Sequence, residues 1–409
     1  MSITNTPTDF STMFLDMNSF FASVEQQVQP TLRGLPLGVA PYTGNTGCIV
    51  AASYEAKAMG IKICQVGEAK KIYPKIRIVE ARPALYMLYH KEIKKVIESF
   101  TPYFQPLSID EFAIRLTKRE QDEKVATDLA RKIKGAIYER VGDYLRCSIG
   151  IGPSIFLAKM AGERQKPDGL VAVKLSELEK FYSGLELTDL VGINWRLEAR
   201  LKNFGIDTPL SLYQKSVGEL ISVLNHPGRL WYFRLRGYEV DEFVIKNKTI
   251  GHSHVLAPEF RSRDGAMAVL RKLAFKAGSR LRAEKFQAGG LAVSVGFLDR
   301  GNFHLSKRFS PFADNQSFLQ NMYLLLRECR WQSRPIYVSV TAFNLIHSGE
   351  KQISIFAEIE KSRQLSETMD KLNDEFGAET VFPASMFSAR LSAPDRIPFG
   401  MPRYEIRHG

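Results

Sequence analysis

Three carboxylates stand where strand-forming runs would be expected to continue. The run 13–16 (MFLD) is apolar until it ends on Asp16, and the run 108–115 (SIDEFAIR) is broken by the adjacent pair Asp110 and Glu111. An ionised carboxylate in a half-buried strand is costly unless it is paired or binds a cation. Three such groups on neighbouring strands would make an oxygen-rich site of the kind hard Mg²⁺ selects, with substrate phosphates completing the shell. Two such ions can clamp the attacking and leaving oxygens of a phosphoryl or nucleotidyl transfer. Each acid alone also fits a plainer role: Asp16 as a helix N-cap after a strand, Asp110 and Glu111 at a solvated strand end. Alternation adds an objection, because adjacent residues of a regular strand face opposite sides.

Around these acids the pattern predicts helices at 19–27, 54–59, 87–100, 120–140 and 154–164, and strands at 48–53 and 146–152. Residues 41–47 are turn-rich. Up to about residue 173 this is an α+β arrangement, a mainly antiparallel sheet with helices on one face. Residues 174–240 read as short helices. From 248 the order is strand, helix, strand, strand, helix, strand, with strands at 248–256, 291–298, 303–309 and 335–344. That is a second, small α/β sandwich. Residues 241–247 read as a linker. The tail from about 347 has the least pattern, except for a helix over 364–376 closed by Gly377.

The length of 409 residues suggests two to four domains. Charge separates them. The net charge is +12, and between Lys246 and Ile346 sixteen Lys and Arg face six Asp and Glu, an excess of ten. A basic module beside a nearly neutral remainder suggests a polyanionic partner, nucleic acid or acidic lipid, with plain solubility as the alternative. No apolar run approaches 18 residues, so no membrane span is expected. The first dozen residues lack the features of a secretory signal. Cys48, Cys64, Cys147 and Cys329 form no CxxC pair and no zinc spacing, as in a reducing cytoplasm.

Three segments are more specific: 14–24 (FLDMNSFFASV), 107–112 (LSIDEF) and 147–170 (CSIGIGPSIFLAKMAGERQKPDGL). In this order they resemble the Y-family DNA polymerases, the translesion enzymes of the DinB and UmuC type, over about residues 12–345. The resemblance implies a right-hand α+β polymerase. Its parts would be a ferredoxin-like palm (1–19 and 87–173), small fingers (20–86), a helical thumb (174–240), the linker, an α/β little finger (248–346) and a tail (347–409). It implies Asp16, Asp110 and Glu111 as catalytic acids that bind two Mg²⁺ ions, assisted by the Met17 carbonyl. It also puts the paired acids at a hairpin edge, which answers the strand objection. Phe21 falls where the family places its steric gate against a 2′-hydroxyl. The Phe20 and Phe21 amides, with Tyr54, Lys57 and Lys166, match contacts to the triphosphate. DinB-type members usually carry Arg where Lys57 stands, and Lys offers a point charge without a bidentate fork. Asn18 and Ser19 also lean towards UmuC and Tyr54 towards DinB, so the subfamily stays open.

Residues 190–208 resemble a helix-hairpin-helix, in which Gly192 and Asn194 would present backbone amides to a DNA phosphate. Asn194 replaces a second hairpin glycine and tolerates positive φ. In the basic module, Lys248, Arg300, Lys307 and Arg308 would grip phosphates without reading bases. Gln352, Ile353, Ser354, Ile355 and Phe356 (QISIF) resemble the peptides with which bacterial polymerases dock on the sliding clamp. The same five residues also alternate like a short strand. The expectation is a monomeric, cytoplasmic, nucleoid-associated polymerase that extends primer–template DNA with dNTPs past damaged bases, without proofreading. Rivals are a non-catalytic, clamp-recruited relative, a palm-fold nucleotide cyclase and a helix-hairpin-helix repair enzyme.

Overall fold

The computed structural model describes residues 6–240, 249–347, 357–390, 392 and 393. The expected linker 241–247, Lys248 and the QISIF peptide 352–356 lie outside the described residues. Two units result, residues 6–240 in the first and those from 249 onward in the second.

In the first unit β1 (Thr12–Met17) runs into α1 (Phe20–Val28). A small sheet follows, made of β2 (Leu37–Ala40), β3 (Ala51–Ala52) and, after α2 (Tyr54–Ala58) and α3 (Val66–Ile72), β4 (Arg77–Glu80). The chain continues through α4 (Pro83–Glu98), β5 (Phe104–Pro106), β6 (Glu111–Arg115), α5 (Glu123–Arg140), β7 (Cys147–Gly152), α6 (Ile155–Glu163) and β8 (Leu170–Ala172). The main sheet has the order β5-β6-β1-β7-β8, antiparallel except for the β7–β8 pair. Short helices complete the unit: α7 (Leu178–Ser183), α8 (Trp195–Lys202), α9 (Pro209–Gln214), α10 (Val217–Leu224) and α11 (His226–Leu235). They pack around Tyr182, Leu201, Leu212 and Trp231.

The central strand β1 is apolar on both faces because both are covered. Met13, Leu15 and Met17 join Ile93 and Ile97 of α4 and Ile133 and Ile137 of α5. Phe14 points the other way, into a cluster with Ala113, Ile155 and Ala158. Helices were expected on one face only, but α6 covers part of the second. Glycine is the reason: a Cβ on Gly150 of β7 would lie 1.8 Å from the Ala158 carbonyl oxygen. Without that Cβ, α6 settles directly on the strand. Asp16, two residues after Phe14, therefore emerges on the α6 face.

The second unit comprises β9 (Thr249–Val255), α12 (Arg263–Ala283), β10 (Phe286–Phe297), β11 (Asn302–Phe312), α13 (Asn315–Leu326), β12 (Pro335–His347) and α14 (Ala357–Phe376). The sheet order is β11-β10-β12-β9, all antiparallel. Val293, Val295, Val338, Val340 and Ile250 pack beneath α12 and α13. The opposite face carries mostly small residues in register: His304, Ser294, Ser339 and Ser253 in one row, Ser306, Ala292, Thr341 and Gly251 in the next.

The tail is more ordered than its sequence pattern predicts. Its helix begins at Ala357, not at 364, and ends as expected before Gly377, whose φ is +108°. With a 3-10 turn at Ala384–Ala389 it lies on α12, where Phe275, Met369 and Met386 form a small cluster. Charge fastens it. Arg282 meets both oxygens of Asp370 at 2.6 and 3.0 Å. Lys272, only 2% exposed, donates to the Arg390 carbonyl at 2.6 Å and pairs with Glu379 at 2.6 Å. Lys276 donates to the Ala393 carbonyl at 3.0 Å. These three cations of the sixteen are thus engaged with the tail and are not presented to an external polyanion.

Candidate active site

Asp16, Asp110 and Glu111 line one cavity of about 610 Å³. Asp16 lies opposite Glu111 in the β1–β6 register, so both side chains leave the face that α6 covers. The strand predicted over 108–115 begins only at Glu111, and residues 108–110 bend into the hairpin loop. The Met17 N–H donates to the Asp110 carbonyl at 2.9 Å, pinning that loop to the end of β1. Asp110 is therefore free of strand alternation, and both members of the pair reach the cavity.

The acids repel one another in a partly dry setting. Burial raises Asp16 to about 7, with Asp110 and Glu111 adding to the rise and Lys166 opposing it. Burial also raises Asp110, against the hydrogen bond donated by Ser108 Oγ at 2.6 Å. Two lysines stand among them. Lys166 Nζ is 3.1 Å from Asp16 Oδ1 and 2.5 Å from Glu163 Oε1. Lys159 reaches from α6 past the Phe14 ring to Glu111 Oε1 at 2.6 Å. Burial disfavours the Lys166 charge, yet Asp16 and Glu163 hold its pKa above the ordinary lysine value. Among the described residues no three His, Cys, Asp or Glu converge as a closed ligand group. The donors nevertheless suit a hard divalent cation. Three carboxylates and Met17 line the same cavity, and a cation would offset the burial and the repulsion that raise Asp16.

Across the cavity lie the residues expected at a triphosphate. Phe20 and Phe21 open α1, whose first turn has no side-chain cap. Ser19, at φ +49°, does not cap the helix, and its hydroxyl accepts from Lys57 Nζ at 2.7 Å. Lys57 also lies 4.6 Å above the Tyr54 ring. Burial lowers the pKa of Lys57, and the charge of Lys166 lowers it further. Burial raises Tyr54. Both come from α2, which Ser53 caps through the Ala56 N–H at 3.3 Å.

The ring of Phe21, 7% exposed, stacks on Tyr86 at 4.6 Å and 18°. Tyr86 donates its hydroxyl to Glu25 at 2.7 Å, and Arg82 grips both oxygens of the fully buried Glu25. This support for Phe21, like Lys159, escaped the sequence reading. The one available signal was an acid, Glu25, inside the otherwise apolar start of α1.

The expected DNA contacts divide. Gly192 has φ +100°, as a tight hairpin requires. Asn194 does not take the positive φ expected of it, having φ −97°. Its Oδ1 accepts the N–H groups of Arg196 and Leu197 at 3.1 and 3.0 Å, which makes it the N-cap of α8. A cap needs extended φ, and that role prevails here. Arg300 sits in the β10–β11 turn at φ +67°. Arg308 lies opposite Gly290 on the small-residue face. Lys307 points to the other face and pairs with Glu328 at 2.6 Å. Among the described residues no helix is long and apolar enough to cross a membrane.

The chain is similar to known proteins in both sequence and fold. Residues 15–163 match the profile of the impB/mucB/samB family, and residues 247–355 match that of its C-terminal domain. A DNA polymerase IV of Moorella thermoacetica is 31% identical over 388 residues, covering 92% of this chain and 96% of the relative. A DNA polymerase IV of Oceanobacillus iheyensis is 30% identical, covering 90% of each. Among solved structures, a Y-family DNA polymerase chimera of Dbh and Dpo4 superposes with TM-score 0.71 at 25% identity, over 82% of this chain and 99% of the other. DinB from Sulfolobus solfataricus shares the fold at TM-score 0.54 and 24% identity, with the same coverage.

Proposed function

The chain belongs to the impB/mucB/samB family, the Y-family DNA polymerases, and we propose that the cavity between β1, α1 and α2 is where it joins a deoxynucleotide to a primer. The protein is a DNA polymerase of the translesion type, acting on primer–template DNA and deoxynucleoside triphosphates. One observation carries the assignment of the site: a single cavity is lined by Asp16, Asp110 and Glu111 together with Phe21, Tyr54, Lys57 and Lys166. A non-catalytic relative would have no need of all three acids there.

Asp16, Asp110 and Glu111, with the Met17 carbonyl, would hold divalent cations, read here as two Mg²⁺ ions. Such ions, when bound, lower the cost of ionising the primer 3′-hydroxyl and of charge building on the departing pyrophosphate. The protein's own groups do the rest. Lys57 and Lys166 bring two ammonium groups to the cavity wall for triphosphate oxygens, beside the uncapped amides of Phe20 and Phe21. The Phe21 ring, backed by Tyr86, forms a flat wall that excludes a 2′-hydroxyl.

The same reading makes the sheet units palm, fingers and little finger, and α7 to α11 the thumb. It assigns DNA phosphates to the Gly192 hairpin and to Lys248, Arg300, Lys307 and Arg308. A sliding clamp would take Gln352–Phe356, and the protein would work as a monomer in the cytoplasm.

Primer extension with Mg²⁺ and dNTPs tests the central claim, on an undamaged template and on one with an abasic site. The wild type extends both and Asp110→Asn extends neither. No extension by the wild type, or equal extension by the variant, refutes it.

A further inference from the structure

The loop that carries Lys166 is tied to the end of the strand that carries Asp16 through the side chain of Asn18. We propose that Asn18 is a positioning residue for Lys166, an inference that rests on the assignment of Lys166 to the triphosphate. Asn18 is 2% exposed and follows Asp16 and Met17 directly. Its backbone N–H donates to the Arg146 carbonyl at 2.8 Å, so its own place is fixed. Its Oδ1 accepts the Asp168 N–H at 2.7 Å, and its Nδ2 donates to Ser148 Oγ at 3.0 Å. Ser148, fully buried on β7, in turn accepts the Gly169 N–H at 3.3 Å.

Two consecutive amides of the Lys166 loop are therefore held by one Asn–Ser pair on neighbouring strands. The carbonyls are held from the other side. Lys134 Nζ donates to the Asp168 oxygen at 2.5 Å and to the Gly169 oxygen at 3.1 Å, and it pairs with the Asp168 carboxylate at 3.0 Å. Arg146 adds a longer contact to that carboxylate at 3.6 Å. These bonds hold Asp168 at φ +60°, a left-handed conformation that aspartate tolerates better than most residues.

A closed ring results. Asp16 leads through Met17 to Asn18, a hydrogen bond crosses to Asp168, the chain runs back through Pro167 to Lys166, and the ammonium of Lys166 returns to Asp16. Removing the Asn18 carboxamide opens this ring between Asp168 and the end of β1 and leaves Ser148 and Lys134 as the main remaining holds on the loop, so Lys166 is placed less firmly against Asp16. A carboxylate at position 18 would still accept the Asp168 N–H, so the requirement is for an acceptor oxygen of this reach.

The test measures the affinity of the enzyme–primer–template complex for a non-hydrolysable dNTP analogue, and the single-turnover rate at saturation. Asn18→Leu should weaken analogue binding about tenfold, since small misplacements of a binding group cost this much or more. Its saturated rate should fall far less. Asn18→Asp keeps the acceptor but loses the Nδ2 donor to Ser148 and buries a charge, so it should fall between wild type and the leucine variant. In a Lys166→Ala background, Asn18→Leu should add less than about twofold, the sign of a shared pathway. Wild-type affinity in Asn18→Leu, an undiminished penalty in the Lys166→Ala background, or an Asn18→Asp as weak as the leucine variant each overturn the proposal. If leucine prevents folding, Asn18→Ser, too short to reach Asp168, carries the same expectations. A Lys166→Ala variant that binds the analogue normally overturns the underlying triphosphate assignment instead.

Discussion

Asp16→Asn should make the protein more stable as well as inactive. Burial and the neighbouring acids raise the Asp16 pKa from 3.8 to about 7. The folded carboxyl thus keeps its proton to higher pH than the unfolded one does. Linkage gives the sign: a carboxyl raised on folding subtracts stability as pH climbs from the unfolded value to the folded one. Below about pH 4 both states are protonated and the penalty vanishes. Above about pH 7 it is complete, and the interval corresponds to about 4 kcal/mol as a ceiling. Asparagine has nearly the same shape and no charge, so it removes this penalty. Urea unfolding of wild type and variant, in chelator, at pH 4, 6 and 8, measures the difference directly. The variant's advantage should be negligible at pH 4, partial at pH 6 and largest at pH 8. Added Mg²⁺ should stabilise the wild type alone and narrow the gap. A difference that stays flat with pH, or a variant less stable at pH 8, would refute the reasoning.

Phe21→Ala should raise ribonucleotide incorporation by about tenfold or more, and Tyr86→Leu by a smaller factor because the gate ring remains but loses its backing. The ratio of ribonucleotide to deoxynucleotide incorporation reads both, and an unchanged ratio in the first removes Phe21 from the role. Asp370→Ala strands Arg282, whose side chain is 8% exposed, and should cost the second unit about 3 kcal/mol in urea unfolding. Arg308→Ala should flatten the dependence of log affinity for DNA on log salt by about 0.9, whereas Lys272→Met should leave it unchanged. Equal slopes for the two variants would show that the small-residue face is not the DNA side. Ile355→Ala with Phe356→Ala should abolish clamp stimulation of extension while clamp-free extension persists, and intact stimulation would exclude the peptide.

The acids were legible because a charge inside an apolar run breaks a pattern that short-range reading detects. Asp16, Asp110 and Glu111 needed only the sheet to bring them together, and the β1–β6 register does so. The small strands β2 and β4 left little trace, since strands of only four residues have no room to show a period. The covering of the second face by α6 depended on Gly150, an absence of side chain that no hydropathy pattern marks. The backing of Phe21 joins residues 57 and 61 positions apart, Glu25 with Arg82 and Tyr86, so nothing local announces it. Asn194 shows a residue with two talents, left-handed φ and helix capping, of which spacing suggested the wrong one. The tail was underestimated because its helix is polar on average. Ion pairs to α12, which no hydropathy pattern marks, help to fix it beside the Met369 cluster.

Docking of α14 on α12 alters what a peptide just ahead of it can be. Nine residues, 348–356, join the end of β12 at His347 to the start of α14 at Ala357. Both anchors belong to the same unit. A partner that took hold of the chain between them would bear on the second unit through both anchors. Tension on it divides between the β12 ladder and the Arg282–Asp370 and Lys272–Glu379 pairs. Weakening those pairs would leave the β12 ladder to carry the load alone.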